Sequence, residues 1–158
     1  MASTDRRAEF LALSATLTGF SVFRLEGTGQ TDAYLRTVCD VTGEPTVDAL
    51  LAAHRRVVDA AGGDQAARDR GLRRELLSDA KLGPVARNLV KLWYVGTWYE
   101  LPAAWRETFG ARARDGTFVV SPEAYTEGLL WPAVGASPAG AKPFGYGMWA
   151  KPPRIETA

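Results

Sequence analysis

The sequence is poor in the residues that carry out most enzyme chemistry. Its 158 residues include one cysteine, Cys39, and one histidine, His54. A single cysteine excludes an intrachain disulfide and argues against a cysteine-based zinc site, and a single histidine excludes a multi-histidine metal site. A Ser-His-Asp triad would have to use His54. Both residues lie on predicted helices, and we interpret both as packing residues.

Excess charge and long apolar runs are also lacking. The chain has 19 Lys and Arg against 18 Asp and Glu, for a net charge of +1. This balance gives no reason to expect nucleic acid or an anionic membrane as a partner. No stretch approaches the roughly 18 uninterrupted apolar residues of a membrane span. We therefore expect neither nucleic-acid binding nor a membrane-spanning segment.

The N-terminus offers only a weak export pattern. Arg6-Arg7 precedes an apolar run from Phe10 to Phe20, which loosely resembles a twin-arginine signal. Glu9 interrupts the pattern, hydroxyl residues dilute the run, and no small-x-small cleavage site follows. We interpret the segment as the first helix of the domain. The expected compartment is the cytoplasm, or the periplasm if the chain is exported with a partner or if a signal was removed.

Glycine, proline and capping residues divide the chain into helices. The predicted fold class is mostly α, an irregular multi-helix domain with a long, Pro/Gly- and aromatic-rich C-terminal arm. The predicted helices run from residues 3–5 to Gly19, from Thr31 or Asp32 to Gly43, from a Thr46 cap to Gly62–Gly63, from Asp64 to about Ser78, from Pro84 as first residue to Gly96, from Pro102 to Gly110, and from Ser121 to about Trp131. A short extended piece is predicted at 118–120.

Two glycines receive different interpretations. Gly71 is predicted to weaken the fourth helix, because glycine in a helix interior costs up to about 1 kcal/mol relative to alanine. Gly96 lies on the apolar stripe of the fifth helix and is predicted to let another backbone approach closely.

The apolar face of the third helix is predicted to comprise Val47, Leu50, Leu51, His54, Val57 and Val58.

The large aromatic residues are concentrated late in the chain. Twelve of the sixteen aromatics follow Pro84, and all five tryptophans lie between Trp93 and Trp149. We divide the chain into a helical domain, 1–131, and an extended arm, 132–158, that packs on the domain and on a partner. Each enclosed aromatic buries roughly 150–250 Å². A proline-rich arm cannot enclose its own rings, so they need the surface of this chain's helices or of another protein.

One carboxylate pair could support chemistry. Glu123 and Glu127 are four residues apart and would share a helix face, where one could act as an acid and the other as a base. A capping Glu123 with a surface Glu127 is the interpretation that we favour. The arginines of segment 68–74 alternate with carboxylates and are interpreted as a solvated helix face. The G-x-G at Gly27–Gly29 lacks the next glycine of a dinucleotide fingerprint, since Asp32 stands there, and is interpreted as a turn.

Three sequence blocks resemble a known family. Phe10–Gly19 is similar to "F-x-x-L-S-x-x-L-T-G", and Leu89–Gly96 to a "W-Y-x-G" helix. Tyr125–Trp131 and Lys142–Pro153 are similar to "Y-x-x-A-L-x-[WF]" followed by "K-P-x-x-[FW]-W-A-x-x-P". Together the blocks resemble the small (gamma) subunits of bacterial FAD-dependent sorbitol, fructose and glucose dehydrogenases. Gly128 stands where the family pattern has alanine, and the chain is extended between 96 and 121.

The resemblance implies a structural role. In that family the small subunit holds no cofactor and binds a large, flavin-containing subunit of the glucose–methanol–choline class, which it helps to fold and to load with FAD. Some complexes add a haem-containing electron-transfer subunit. We therefore expect no catalytic, cofactor-binding or metal-ligating residue in this chain. The residues expected to face the partner, or to brace the arm that does, are Trp93, Tyr94, Trp98, Tyr125, Trp131, Phe144, Tyr146 and Trp149.

Two alternatives stay open. The chain could be a small stand-alone enzyme that uses the Glu123 and Glu127 pair, or a regulatory or scaffolding helical module. The substrate, the electron acceptor and the stoichiometry of an assembly are properties of the partner.

Overall fold

Helices make up most of residues 3–110 and 112–141, which are the residues that the computed structural model describes. The elements, in chain order, are α1 (Ser3–Thr18), α2 (Val22–Gly27), α3 (Thr31–Thr42), α4 (Glu44–Ala61), α5 (Gln65–Gly71), a π-helix (Leu72–Leu77), α6 (Leu82–Val95), β1 (Thr97–Trp98), α7 (Ala103–Phe109), β2 (Phe118–Val119), α8 (Pro122–Thr126) and α9 (Leu130–Ala133). The prediction of a mostly α, irregular multi-helix domain is confirmed. The predicted boundary between domain and arm, after Trp131, falls inside α9.

Glycines end several of the helices where the sequence predicted an end. Gly19, Gly43, Gly62 and Gly96 directly follow α1, α3, α4 and α6, and each has a positive φ. A residue with positive φ turns the chain out of the helix, and glycine does so without steric cost.

Two helix starts and one helix end differ from the prediction. The helix predicted from Ser121 to about Trp131 is divided, because α8 ends at Thr126 and α9 begins at Leu130. Helix α4 begins at Glu44, with Pro45 in its first turn, and not after Thr46. The Thr46 hydroxyl, predicted to be a cap, donates instead to the Thr42 carbonyl oxygen at 3.0 Å. Helix α6 begins at Leu82, two residues before Pro84. In both cases proline lies inside the first turn, where its missing N–H costs nothing.

Helix α2 was not predicted. It has six residues, and the Ser21 hydroxyl at its start accepts a hydrogen bond from the Arg24 backbone N–H at 3.2 Å. Leu25 is its buried residue. A helix with so few turns and one apolar contact has no detectable periodicity in the sequence.

Gly71 has a packing role that the sequence did not suggest. A Cβ at Gly71 would lie 2.8 Å from Cγ1 of Val57, so α4 and α5 approach more closely than any side chain at position 71 would allow. The helix then widens into the π-helix, with Leu72 and Leu76 buried. The expected weakness at Gly71 is therefore offset by close contact between helices.

The hydrophobic core lies among α1, α3, α4 and α6, which contact one another. Tyr34 on α3 packs edge-on against Trp93 on α6, with ring centroids 4.8 Å apart at 89°. The predicted face of α4 is buried except at Val58, which is 36% exposed. The largest fully buried side chains among the described residues are those of Trp93, Trp98, Tyr34, Phe10, Leu13, Leu25, Leu50, Leu51, Leu76, Leu89, Leu92 and Leu129.

The two N-terminal arginines hold α1 against its neighbours. Arg6 donates from Nε to Oδ1 of Asp48 on α4 at 3.0 Å. Arg7 donates from Nε to Oδ1 of Asp32 on α3 at 3.1 Å. Both side chains therefore bridge helices.

A buried carboxylate organises the segment between α6 and α8. Strands β1 and β2 pair antiparallel, with Trp98 opposite Phe118. Between them, Oδ1 of Asp115 accepts hydrogen bonds from the Trp98 indole Nε1 and from the Leu101 backbone N–H, both at 3.2 Å. Its Oδ2 lies 3.2 Å from Nε of Arg106 in an ion pair, and the Asp115 side chain is fully buried.

His54 packs between helices, as the sequence indicated. It is 5% exposed, and its Nε2 lies 3.0 Å from the hydroxyl oxygen of Thr16 on α1. Burial lowers the pKa of His54 below its ordinary 6.5, Arg68 lowers it further, and Glu9 opposes the shift. The folded chain therefore favours a neutral imidazole.

This preference predicts a pH-dependent stability. Below pH 6.5 the unfolded chain binds a proton at His54 more readily than the folded chain does. The free energy of unfolding should therefore fall as the pH is lowered below 6.5, and the His54 contribution should be complete above that value. Urea titrations between pH 6.5 and about 5, above the carboxylate range, would measure the slope. His54→Gln should flatten it; an unchanged slope in the variant would contradict the assignment.

Candidate functional site

A groove opens on the surface between α2 and the segment that runs from α8 past α9. It encloses about 340 Å³. We call it the aromatic groove, and its lining consists of Phe23, Arg24, Gly27, Thr28, Thr126, Glu127, Gly128, Leu129, Trp131, Pro132, Ala136, Ser137 and Pro138. Its volume lies near the lower end of the range for ligand-binding clefts. The groove can accept a short stretch of chain but not a folded domain.

The first wall is the short helix α2. Leu25 is fully buried, whereas Phe23 is 87% exposed and Val22 is 40% exposed. Residues two apart on a helix do not share a face, so burial of Leu25 turns the Phe23 ring toward solvent. An almost fully exposed phenylalanine beside a groove is typical of an interaction surface.

The second wall carries a ring pair. Tyr125 and Trp131 pack edge-on with centroids 5.4 Å apart, and the Trp131 indole Nε1 donates to the Tyr125 carbonyl oxygen at 2.7 Å. Tyr125 is 37% exposed, Trp131 is half-buried, and Val134 beyond it is 52% exposed. The hydrogen bond satisfies the indole N–H and fixes the ring orientation, leaving the apolar surface available.

Two glycines bring this second wall against α6. A Cβ at Gly96 would lie 2.4 Å from the Ala124 carbonyl oxygen, and one at Gly128 would lie 2.7 Å from the Tyr94 carbonyl oxygen. The Leu129 backbone N–H donates to the Trp93 carbonyl oxygen at 3.0 Å. The prediction that Gly96 permits a close backbone approach is confirmed. Gly128 is a second such position, so alanine, the residue of the family pattern, would not fit here unchanged.

A second hollow adjoins the groove and contains the carboxylate pair. Glu123 and Glu127 line it together with Pro122, Thr126 and the turn at 27–30. Glu123 lies on α8 and Glu127 follows its last residue, where its backbone N–H donates to the Glu123 carbonyl oxygen at 2.8 Å. Both side chains thus border the same hollow.

The buried phenol of Tyr34 is affected by one of these carboxylates. Burial, with the nearby Glu127 carboxylate, raises the pKa of Tyr34.

The structure separates the predicted partner-facing residues into groups. Trp93 and Trp98 were expected at or near a partner, but they are 1% and 0% exposed in the core of this chain. Tyr94 is half-buried and donates from its hydroxyl to the Thr18 carbonyl oxygen at 3.1 Å, which braces the end of α6 against α1. Tyr125 and Trp131 lie at the aromatic groove.

Three predicted residues, Phe144, Tyr146 and Trp149, lie outside the described residues. One groove residue, Phe23, was missed. The sequence places two aromatics, Phe20 and Phe23, in the short segment between Gly19 and Gly27. Only the structure separates them, because Phe20 packs edge-on against Tyr94 whereas Phe23 is exposed.

Metal-ligand clusters and membrane-spanning helices are both absent from the described part of the chain. Within 3–110 and 112–141, no three His, Cys, Asp or Glu side chains are clustered in a way that could hold a metal ion. None of the helices in these ranges combines the length and the apolarity that crossing a membrane requires. Cys39 is half-buried, and burial raises the pKa of its thiol.

Comparison with known proteins found no matching family model, no matching curated protein and no matching solved structure.

Proposed function

We propose that this chain is a non-catalytic accessory subunit of an FAD-dependent sugar, polyol or alcohol dehydrogenase. In this proposal it binds the large flavin-containing subunit, stabilises it, and supports its folding and flavin loading. The observation that carries the proposal is the exposed aromatic surface around the groove. The three sequence blocks that resemble the small-subunit family add to it.

The exposure pattern supports a binding surface. Phe23 at 87%, Val134 at 52% and Tyr125 at 37% are exposed, while Trp93 and Trp98 are sealed in the core. Protein interfaces are enriched in aromatic residues, and a few of them supply most of the binding energy. An exposed apolar patch beside a groove is the expected form of such a surface before its partner binds.

The positions of the three family-like blocks are consistent with this surface. The first block forms most of α1, and its Thr18 carbonyl oxygen receives the Tyr94 hydroxyl of the second block. The second block ends at Gly96, against which the chain of the third block packs. From the third block, residues 126–129 and Trp131 line the groove, and Tyr125 packs against Trp131. The blocks thus connect the core to the exposed rings.

Phe23→Ala is the most direct test. The chain would be co-expressed with a flavin-containing large subunit of the glucose–methanol–choline class, and any complex would be purified and its flavin absorbance measured. Since Phe23 is almost fully exposed, its loss should leave the fold intact. If Phe23 is an interface hot spot worth about 2 kcal/mol, affinity should fall about thirty-fold. Tyr125→Ala should weaken pairing in the same direction.

Two controls accompany this experiment. Val119→Ala removes an apolar side chain that is 55% exposed and does not line the groove, so pairing should be unaffected. Glu123→Gln should leave pairing and flavin content unchanged if the chain is a subunit, because Glu123 does not line the groove, whereas it should abolish turnover if the chain is an enzyme that uses the carboxylate pair. Equal affinity of the Phe23→Ala and Val119→Ala chains would refute the proposed surface.

A further inference from the structure

The described chain ends in a turn at the edge of the aromatic groove. The Ala141 backbone N–H donates to the Pro138 carbonyl oxygen at 3.3 Å, and Gly140 between them has φ +71°. This hydrogen bond, with glycine at the third position, defines a β-turn that reverses the direction of the chain. Pro138, the first residue of the turn, is buried and lines the groove.

Because a β-turn reverses the chain direction, residues that follow it would be directed back along the groove. The chain from Trp131 to Pro138 runs beside the groove and supplies five of its lining residues. Residues 131–138 include the end of α9 and a turn, so they span less distance than an extended chain of the same number of residues, and the eight residues 142–149 are more than enough to retrace them. An extended chain advances roughly 3.3 Å per residue, so these eight residues reach about 26 Å.

The residues beyond the turn suit the groove chemically. Segment 142–158 carries the apolar side chains Phe144, Tyr146, Met148 and Trp149, and the groove offers the Phe23 and Trp131 rings. Its charged side chains are three basic residues and one acidic residue, and the hollow that adjoins the groove is bordered by two glutamates. The aromatic character of the segment is complementary to the groove, whose own lining carries one basic and one acidic side chain, Arg24 and Glu127.

We propose that the aromatic groove is the binding site for this chain's own C-terminal residues, 142–158. The proposal concerns the isolated chain and does not rest on the proposed function. A segment joined to the groove by a four-residue turn has an effective concentration in the millimolar range, so weak contacts are enough to hold it there. The bound segment and the exposed rings at the rim would then form one continuous surface.

A paramagnetic label near the end of the segment tests the proposal. Full-length, ¹⁵N-labelled chain would carry Cys39→Ala, to remove the native thiol, and Ala150→Cys, to receive a nitroxide. We expect loss of the backbone amide signals of Gly27–Gly29 and Thr126–Gly128, and recovery of these signals when the nitroxide is reduced. Retention of these signals with the nitroxide intact would overturn the proposal.

Two further samples identify the occupant. In an equal mixture of nitroxide-labelled ¹⁴N chain with nitroxide-free ¹⁵N chain, the groove signals should persist; their loss there would assign the groove to a second copy and overturn the proposal.

Adding Phe144→Ala and Trp149→Ala to the nitroxide-labelled ¹⁵N chain should restore the groove signals, while adding Val119→Ala should not. If the Phe144 and Trp149 substitutions leave the signals lost, the rings do not hold the segment and the proposal fails. The large subunit is absent from every sample, so these results are independent of the pairing experiment.

Discussion

Gly96→Ala should lower the free energy of unfolding by about 3 kcal/mol, the sum of backbone strain and overpacking. Gly96 has φ +67°, a conformation that costs an alanine side chain about 1 kcal/mol or more. In addition, the new Cβ would meet the Ala124 carbonyl oxygen at 2.4 Å, and backbone cannot move aside as a flexible side chain can. Denaturant unfolding followed by circular dichroism would measure the loss.

Alanine substitutions at two other glycines distinguish the cost of backbone strain from the cost of a steric clash. Gly62 also has positive φ, at +53°, but a Cβ there would meet nothing within 4 Å. Gly62→Ala should therefore cost only the strain, about 1 kcal/mol. Gly116→Ala has neither feature and should change stability little. If Gly96→Ala and Gly62→Ala were equally destabilising, the close approach of α8 to α6 would be refuted.

Asp115→Ala should lower the free energy of unfolding by about 4 kcal/mol. The substitution leaves two buried donors, the Trp98 indole N–H and the Leu101 backbone N–H, without their acceptor. It also removes the carboxylate that Arg106 faces. We expect the loss to concentrate in segment 97–120, where hydrogen–deuterium exchange should speed up more than in α1 or α4.

The surface pair between Asp40 and Arg114 is the matched control. Arg114 donates to the Asp40 carboxylate at 2.7 Å, but both side chains are exposed. Like Asp115→Ala, Asp40→Ala removes a carboxylate that pairs with an arginine. Because this pair is exposed, the free energy of unfolding should fall by less than about 1 kcal/mol. Asp115→Asn keeps one acceptor oxygen and should fall between the two. A similar loss for Asp40→Ala and Asp115→Ala would show that burial of Asp115 contributes nothing.

The sequence predicted helix ends well because each end depends on a single local cause. A glycine with positive φ both stops a helix and reverses the chain direction, so Gly19, Gly43 and Gly62 mark the ends of α1, α3 and α4 in the sequence itself. The first residue of a helix is less well determined by the sequence, since proline is accepted at several positions of the first turn. The starts at Glu44 and Leu82 therefore lie three and two residues before the predicted ones.

The candidate site was only partly predictable, because its key contacts connect distant residues. Trp131 and Tyr125 were identified from their place in an aromatic segment, but the exposure of Phe23 follows from the burial of Leu25. The roles of Asp115 and Gly128 depend on partners that are 17 and 34 residues away. Burial of Trp93 and Trp98 depends on α3 and on segment 97–120 closing over them. No local pattern encodes those contacts.

The distribution of the indoles gives the protein two separate optical reporters. Trp93, Trp98 and Trp105 are at most 4% exposed, so their emission reports on the integrity of the helical core. Trp131 is half-buried at the rim of the groove. Once Trp149, which lies outside the described residues, is replaced by phenylalanine, a soluble quencher such as iodide reaches Trp131 while it is excluded from the three core indoles. Occupancy of the groove can then be followed by fluorescence without any added dye.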